Sequence, residues 1–293
     1  MTQRNPISIR DALRAVAARL AATAADAPAI DARWLVARAL GVDRAELARR
    51  EGEALPPGPI EELELLVRRR ERGEPLAYLL GEWEFWSLPL EVSPDVLVPR
   101  PETELLVEWG IELLRTHPAP RIADIGTGSG CIALALAIEL PRATVDAVDI
   151  SPAALAVAAR NVARHRLAGE GLEGRVRLFE GDLLLPLAGE RPYDLIASNP
   201  PYIAPGDPRL DPAVARHEPA LALYDPAGGD GLGFHRRLAA QARPLLAGGG
   251  ALLLELPEDG APLVRAICGA AGYSVEVRRD LAGIERALLA RGS

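Results

Sequence analysis

The sequence predicts an α/β protein with a doubly wound parallel sheet, and three observations carry that reading. From Arg121 onward, short apolar runs alternate with helical patterns, as βαβ units require. A Gly-rich turn, Gly126-Thr127-Gly128-Ser129-Gly130, directly follows one apolar run and opens a helix. Successive runs end in Asp149, in Asp182 and in Asn199, and open α/β sheets bind ligands outside the carboxyl ends of their strands.

The chain up to residue 80 is different and reads as short amphipathic helices. Ser8 followed by Asp11 forms a capping-box pattern with Asp in place of Glu, and Leu13, Val16, Ala17 and Leu20 then recur at helical spacing. A second helix over Ile30–Leu40 turns Trp34, Leu35 and Ala39 inward and ends at Gly41. Asp43 caps a short third, and Pro59–Arg72 makes a fourth, closed by Gly73. Its basic end, Arg68, Arg69, Arg70 and Arg72, reads either as a dipole-favoured helix terminus or as a contact for RNA or an acidic partner.

Residues Glu82–Val92 alternate and are rich in aromatics, which predicts a hairpin connector. Pro99-Arg100-Pro101-Glu102-Thr103-Glu104 opens a helix running to about Arg115. Strands are expected over Arg121–Ile125, Ala143–Val148, Arg175–Glu180 and Tyr193–Ala197, with helices reaching Leu140 and Arg166 between them. A loop rich in Pro, Gly and Asp spans Ile203–Gly233, and a segment that long without structure points to function. A helix (Phe234–Leu246), a strand (Ala251–Leu256), a helix (Gly260–Ala271) and two strands (Tyr273–Arg278, Ile284–Leu289) complete the chain.

Composition narrows the function classes. A chain of 293 residues, 49% hydrophobic and 25% charged, holds a sizeable core and most simply forms two domains. No long uncharged apolar run predicts a membrane span, and no secretory segment is expected after Met1. Two cysteines, Cys131 and Cys268, in predicted helices argue against a disulfide framework and for the cytoplasm. The scattered histidines form no metal-ligand spacing. All 33 basic residues are arginine, which excludes lysine Schiff-base and P-loop chemistry. A net charge of −8 argues against a broad grip on nucleic acid, so no direct nucleic-acid partner is expected.

The strand ends carry the chemistry. Asp124-Ile125-Gly126-Thr127-Gly128-Ser129-Gly130 has the spacing G-x-G-x-G rather than the dinucleotide G-x-G-x-x-G. Asp124 would repel a pyrophosphate but suits the ammonium of an amino-acid ligand, with glycine N–H groups near its carboxylate. Asp149 suits both hydroxyls of a ribose. Asp182 is placed either to accept from an adenine amino group, with Leu183 against the ring, or simply to cap a helix. An amino-acid tail, a ribose and an adenine together describe S-adenosylmethionine. At the fourth strand end, Ser198-Asn199-Pro200-Pro201-Tyr202 stops the ladder, because neither proline has an N–H to give. Asn199 offers an acceptor and a donor and Tyr202 an aromatic face, a grip for a flat group bearing N–H donors. Taken alone, this stretch reads equally as a Pro-rich surface loop.

Together these residues resemble the release-factor glutamine N5-methyltransferases, the HemK/PrmC family. The resemblance rests on Arg69-Arg70 through Gly73-Glu74-Pro75, on Glu84-Phe85-Trp86-Ser87-Leu88 and on Pro99 to Glu104. The Gly126–Gly130 loop, Ser198–Ile203, His217-Glu218-Pro219 and Leu221-Ala222-Leu223 extend it over nearly the whole chain. It implies a Rossmann-like class I methyltransferase domain (99–293), an N-terminal all-α substrate-recognition domain (1–80) and a β-hairpin linker (81–98). It implies methyl transfer from S-adenosylmethionine, leaving S-adenosylhomocysteine, to the glutamine amide in the Gly-Gly-Gln loop of class-I peptide chain release factors, by a monomeric enzyme. On that reading Asp124, Gly126, Thr127, Gly128, Ser129, Gly130, Asp149, Asp182, Leu183 and Asn199 hold the cofactor. Asn199, Pro200, Pro201 and Tyr202 hold the substrate and catalyse, with Arg100 and Glu218 as lesser candidates. After Glu255 the chain departs from the family pattern, with Leu256-Pro257-Glu258-Asp259-Gly260. Two alternatives remain: adenine-N6 methylation of nucleic acid by the same Asn-Pro-Pro-Tyr grip, and cofactor binding without turnover.

Overall fold

The computed structural model describes residues 7–23, 27–169, 171–225 and 229–292. They fall into two compact units: the residues up to Glu82 together with Asp211–His217, and Trp83–Leu210 together with Glu218 onward.

The first unit packs α1 (Ile9–Leu20), α2 (Pro28–Leu40), α3 (Arg44–Arg50), α4 (Pro57–Glu71) and α5 (Leu76–Leu80). The caps form as the sequence predicts. Ser8 accepts from the Asp11 N–H and Asp43 from the Glu46 N–H, while Gly41 ends α2 at φ 65°, where a side chain would be strained. Ile9, Leu20, Leu35, Leu47 and Val67 are fully buried in its core. The basic end of α4 is neutralised within the unit. Arg68 pairs with Glu64 at 2.7 Å, Arg69 with Glu74 at 2.5 Å, and Arg70 with the buried Asp31 at 2.7 Å. Three of its four arginines therefore have carboxylate partners.

The sequence division into 1–80 and 99–293 does not foresee that Asp211–His217 belongs with the helices. The reason is local bonding: Arg216 and His217 both donate to the Arg72 carbonyl, at 3.3 and 3.2 Å. Gly73 lies so close to Ala213 that a Cβ there would sit 3.0 Å from the alanine methyl.

The second unit opens with a hairpin, β1 (Glu82–Phe85) and β2 (Leu88–Glu91), turned by Trp86 and Ser87 at positive φ. After α6 (Glu104–Leu114) come β3 (Arg121–Ile125), α7 (Cys131–Glu139), β4 (Thr144–Asp149), α8 (Pro152–Leu167), β5 (Val176–Glu180) and β6 (Tyr193–Ser198). Two short helices, α9 (Pro212–His217) and α10 (Ala220–Leu223), interrupt the stretch read as a loop, of which residues 226–228 lie outside those described. Then follow α11 (Gly233–Ala242), β7 (Leu246–Glu255), α12 (Ala261–Ala270), β8 (Tyr273–Arg279) and β9 (Glu285–Gly292).

The sheet runs β5-β4-β3-β6-β7-β9-β8, with β9 antiparallel to both its neighbours. Its central strands are mostly apolar because both faces are covered. Ile122, Leu195 and Leu253 pack with Leu106, Trp109 and Leu134 on one face. Ile125, Ile196, Leu252 and Leu254 pack with Leu238 and Val264 on the other. The chain winds outward from β3 to β5 and returns to β6 on the opposite side of β3, so the switch point of the sheet lies between β3 and β6. Among the described residues no helix is long and apolar enough to cross a membrane.

Candidate active site

The crevice at that switch point lies between the turn after β3 and the Asn-Pro-Pro-Tyr stretch after β6. Ile125 and Ser198 are partners in register, and the Ser198 hydroxyl donates to the Ile125 carbonyl at 2.7 Å. The two chains then leave the sheet side by side.

Gly126, Gly128 and Gly130 have φ of 73°, 54° and 83°, so the turn requires residues without a Cβ. The N–H groups of its three glycines and of Thr127 are bonded within the protein. Gly126 and Thr127 donate to the Val148 carbonyl at 2.8 and 3.0 Å, Gly128 to Asp149 Oδ2 at 2.9 Å, and Gly130 to the Thr127 carbonyl at 2.8 Å. The glycines shape the turn and draw it onto the end of β4. Asn161 on α8, absent from the sequence reading, donates to the Ser129 carbonyl at 2.9 Å and the Glu91 carbonyl at 3.0 Å, pinning the turn to β2.

Asp124 is completely buried. Its Oδ2 accepts from the Thr127 hydroxyl at 2.6 Å and the Ala133 N–H at 3.1 Å, whereas Oδ1 has no partner among the described residues. Burial outweighs those two hydrogen bonds and pushes its pKa up to about 7, with the nearby Asp149 charge adding to the rise. Asp149 is less enclosed; burial raises its pKa too, against N–H groups that include those of Ser151 and Gly128. These N–H groups do not fill the accepting capacity of its two oxygens.

Asp182 does not cap an α-helix. Arg237 of α11 holds its Oδ2, a partner the sequence gave no sign of. Leu183 beside it is buried at φ 51°, a left-handed conformation that costs about 1 kcal/mol or more outside glycine.

Asn199 donates through Nδ2 to the Thr103 hydroxyl at 3.1 Å. Thr103 donates in turn to Glu255 Oε2 at 2.6 Å, and the Tyr202 hydroxyl donates to Glu255 Oε1 at 3.3 Å. Glu255 is 2% exposed, and burial lifts its pKa to about 7. His235 donates from Nε2 to the Glu255 carbonyl at 2.9 Å and lies 6.5 Å from the Tyr202 ring, centre to centre. Burial lowers the His235 pKa, which favours the neutral ring. Pro200 is buried and Pro201 half-buried between these anchors. Thr103, Glu255 and His235 are residues to which the sequence reading gives no role here; Thr103 lies within the Pro99–Glu104 stretch and Glu255 within an apolar run, and nothing marks His235.

Arg100 and Glu218 form an ion pair of 2.5 Å, with the Glu218 side chain almost fully buried and also accepting from the Val98 N–H at 3.1 Å. This pair ties the Pro99–Glu104 stretch to His217-Glu218-Pro219. The departure after Glu255 is a tight turn, in which the Gly260 N–H donates to the Pro257 carbonyl at 2.9 Å ahead of α12.

Two family models match the chain, the PrmC N-terminal domain over residues 11–81 and the methyltransferase small domain over residues 102–216. A release factor glutamine methyltransferase of Coxiella burnetii is 41% identical over 97% of this chain and 99% of its own length. One from Deinococcus radiodurans is 42% identical over 97% and 99%. Among solved structures, a methyltransferase from Pyrococcus furiosus shares the fold with a TM-score of 0.51 at 21% identity, over 70% of this chain and 90% of that one.

Proposed function

Because this chain belongs to the release factor glutamine methyltransferases, we propose that the crevice beside Asn199 is where it methylates the glutamine of a class-I peptide chain release factor. The enzyme transfers a methyl group to the side-chain amide nitrogen of the glutamine in the Gly-Gly-Gln motif. The donor is S-adenosylmethionine, whose sulfonium supplies an electrophilic methyl group when bound.

The residues present fit that cofactor. Asp124 Oδ1, buried and without a partner among the described residues, suits an ammonium. Asp149, on the neighbouring strand end, has lone pairs left for ribose hydroxyls. Asp182 keeps Oδ1 for an adenine amino group while Arg237 holds Oδ2, and Leu183 offers an apolar surface for the ring. Gly126 to Gly130 and Thr127 build the turn that sets Asp124 and Asp149 in place.

The observation that carries the catalytic reading is the hydrogen bond from Asn199 Nδ2 to Thr103. It uses the donor side of Asn199 and leaves the carbonyl oxygen as an acceptor. A glutamine amide nitrogen is a poor nucleophile, because its lone pair is delocalised into its carbonyl. Asn199 Oδ1 and the Pro200 carbonyl each accept one of its N–H groups. That fixes the nitrogen for in-line attack and favours its pyramidalisation. Pro201 stiffens the backbone that presents both acceptors, and Tyr202, anchored on Glu255, packs along the glutamine side chain. As the C–N bond forms, the C–S bond to the donor breaks and S-adenosylhomocysteine leaves, and the strongly acidic alkylated nitrogen gives up its proton to water, so no dedicated general base is needed. The helical unit recognises the rest of the release factor. Action in the cytoplasm fits two buried free cysteines and a protein substrate of the translation machinery.

The test is transfer of label from S-adenosylmethionine to a purified release factor, beside the same factor with its Gly-Gly-Gln glutamine changed to alanine. Label on the first alone is the expected result. Label on neither, with cofactor still bound, overturns the assignment and points to another amine, nucleic-acid adenine included.

A further inference from the structure

The terminal amide of asparagine has two orientations of nearly the same shape, and only its hydrogen-bond partners distinguish them. In one, Asn199 presents a carbonyl oxygen to an incoming amide; in the other it presents an NH2 group, donor against donor. Something must select the first.

We propose that Thr103 and Glu255 are positioning residues that set the orientation of Asn199. A hydroxyl has one proton, and Thr103 gives it at 2.6 Å to Glu255 Oε2, which as an ionised carboxylate can only accept. Its oxygen is then left only to accept, so the group facing it, at 3.1 Å, must be the Asn199 NH2. The chain of donors runs one way, from Asn199 to Thr103 to Glu255, and turns Asn199 Oδ1 away from Thr103. Three separate elements converge to build it. Thr103 closes the turn that opens α6, Glu255 ends β7, and Asn199 follows β6. The register pairs Ser198 with Leu254, so Asn199 and Glu255 are the next residues on adjacent strands. Thr103 and Glu255 are both 2% exposed, so water does not compete for the Thr103 hydroxyl. The second oxygen of Glu255 holds the Tyr202 hydroxyl, and one carboxylate thereby fixes both ends of Asn199-Pro200-Pro201-Tyr202.

This inference rests on the amide-accepting role of Asn199, and its test separates the two. Wild type, Thr103→Val, Thr103→Ser, Asn199→Ala and the Thr103→Val/Asn199→Ala double variant are compared for kcat and KM on the release factor. Cofactor affinity by calorimetry and melting temperature are measured for each. Thr103→Val keeps the shape and removes the hydroxyl; it should lower kcat roughly tenfold to a hundredfold with cofactor affinity unchanged. Thr103→Ser should restore most of the loss. In the Asn199→Ala background Thr103→Val should cost nothing further, because its effect passes through Asn199. Thr103→Ala, read in the same cycle, serves if the valine variant does not fold. Unchanged kcat in Thr103→Val, or losses that add in the double variant, would overturn the positioning role while leaving the methyl-transfer reading intact. A wild type that does not label the release factor overturns both.

Discussion

Asp124 shows how one buried atom links burial to ligand chemistry. Its carboxyl is sealed from solvent, its pKa stands near 7, and Oδ1 has no partner among the described residues. An ammonium drawn to that oxygen favours the ionised form, so cofactor binding releases a proton from any Asp124 still protonated. Affinity for S-adenosylmethionine should therefore rise with pH up to about 7, by about tenfold per unit at most, and stop rising once Asp124 is ionised. The ligand's own amino group sets the alkaline limb, since an α-amino group loses its charge near pH ~7.8. Calorimetric titration across pH 5.5 to 8.5, as a ~three-unit scan around these values, reads both limbs. Asp124→Asn should weaken binding and erase the acid limb while sparing the alkaline one. An acid limb unchanged in that variant would assign Asp124 solely to holding Thr127 and the start of α7.

The long stretch after β6 shows what an element owes to contacts that no local pattern announces. Ile203 donates to the Leu223 carbonyl at 3.0 Å and accepts from the Asp225 N–H at 3.1 Å, folding the stretch back on itself. Gly231 then passes so near the motif that a Cβ there would lie 2.4 Å from the Tyr202 carbonyl oxygen, at a φ of 74° that already disfavours a side chain. Gly231→Ala should destabilise the protein by about 1–3 kcal/mol and push Tyr202 aside. The expected result is a lower denaturation midpoint and a fall in kcat with cofactor affinity unchanged; an unaltered kcat would show that Tyr202 does not depend on this approach. The sequence reads Ile203–Gly233 as one loop because α9 and α10 are too short to show a helical period. The Gly126–Gly130 turn, Asp149 and the Asn-Pro-Pro-Tyr stop are legible because their geometry is set within a few residues. The partners of Asn199 and Asp182 are not. Thr103 and Glu255 stand 152 positions apart, and Arg237 meets Asp182 across 55, separations at which only the fold brings residues together. The acceptors inside the glycine turn are hidden for the same reason: the Val148 carbonyl, which takes two of its N–H groups, lies on another strand.

At the scale of the molecule, the cores do not mix. The apolar cluster of the helical unit is drawn entirely from Ile9 to Leu79, and both clusters of the sheet unit from Phe85 onward. Each unit thus has buried apolar surface of its own, and the described hydrogen-bond partners of Asn199 and of the glycine turn lie within the sheet unit. The helical unit is also laced by its own ion pairs, among them Arg19 bridging Glu64 at 2.6 Å and Glu71 at 2.8 Å. These pairs are partly solvated, and they set the mutual placement of helices more than they add stability. A role in chemistry is therefore not expected of this unit, whereas a role in gripping a protein substrate is. A chain reduced to residues 81–293 should bind S-adenosylmethionine with unchanged affinity. Its KM for the release factor should rise about tenfold or more, each factor of ten corresponding to about 1.4 kcal/mol of lost binding. Its kcat at saturating substrate should fall less than its KM rises. The Asp211–His217 segment loses its partners in that chain, so the melting temperature of the truncated protein is measured alongside, and cofactor binding certifies the fold. An unchanged KM would move recognition of the release factor onto the sheet unit itself, and the helices would then have to be explained by something other than substrate binding.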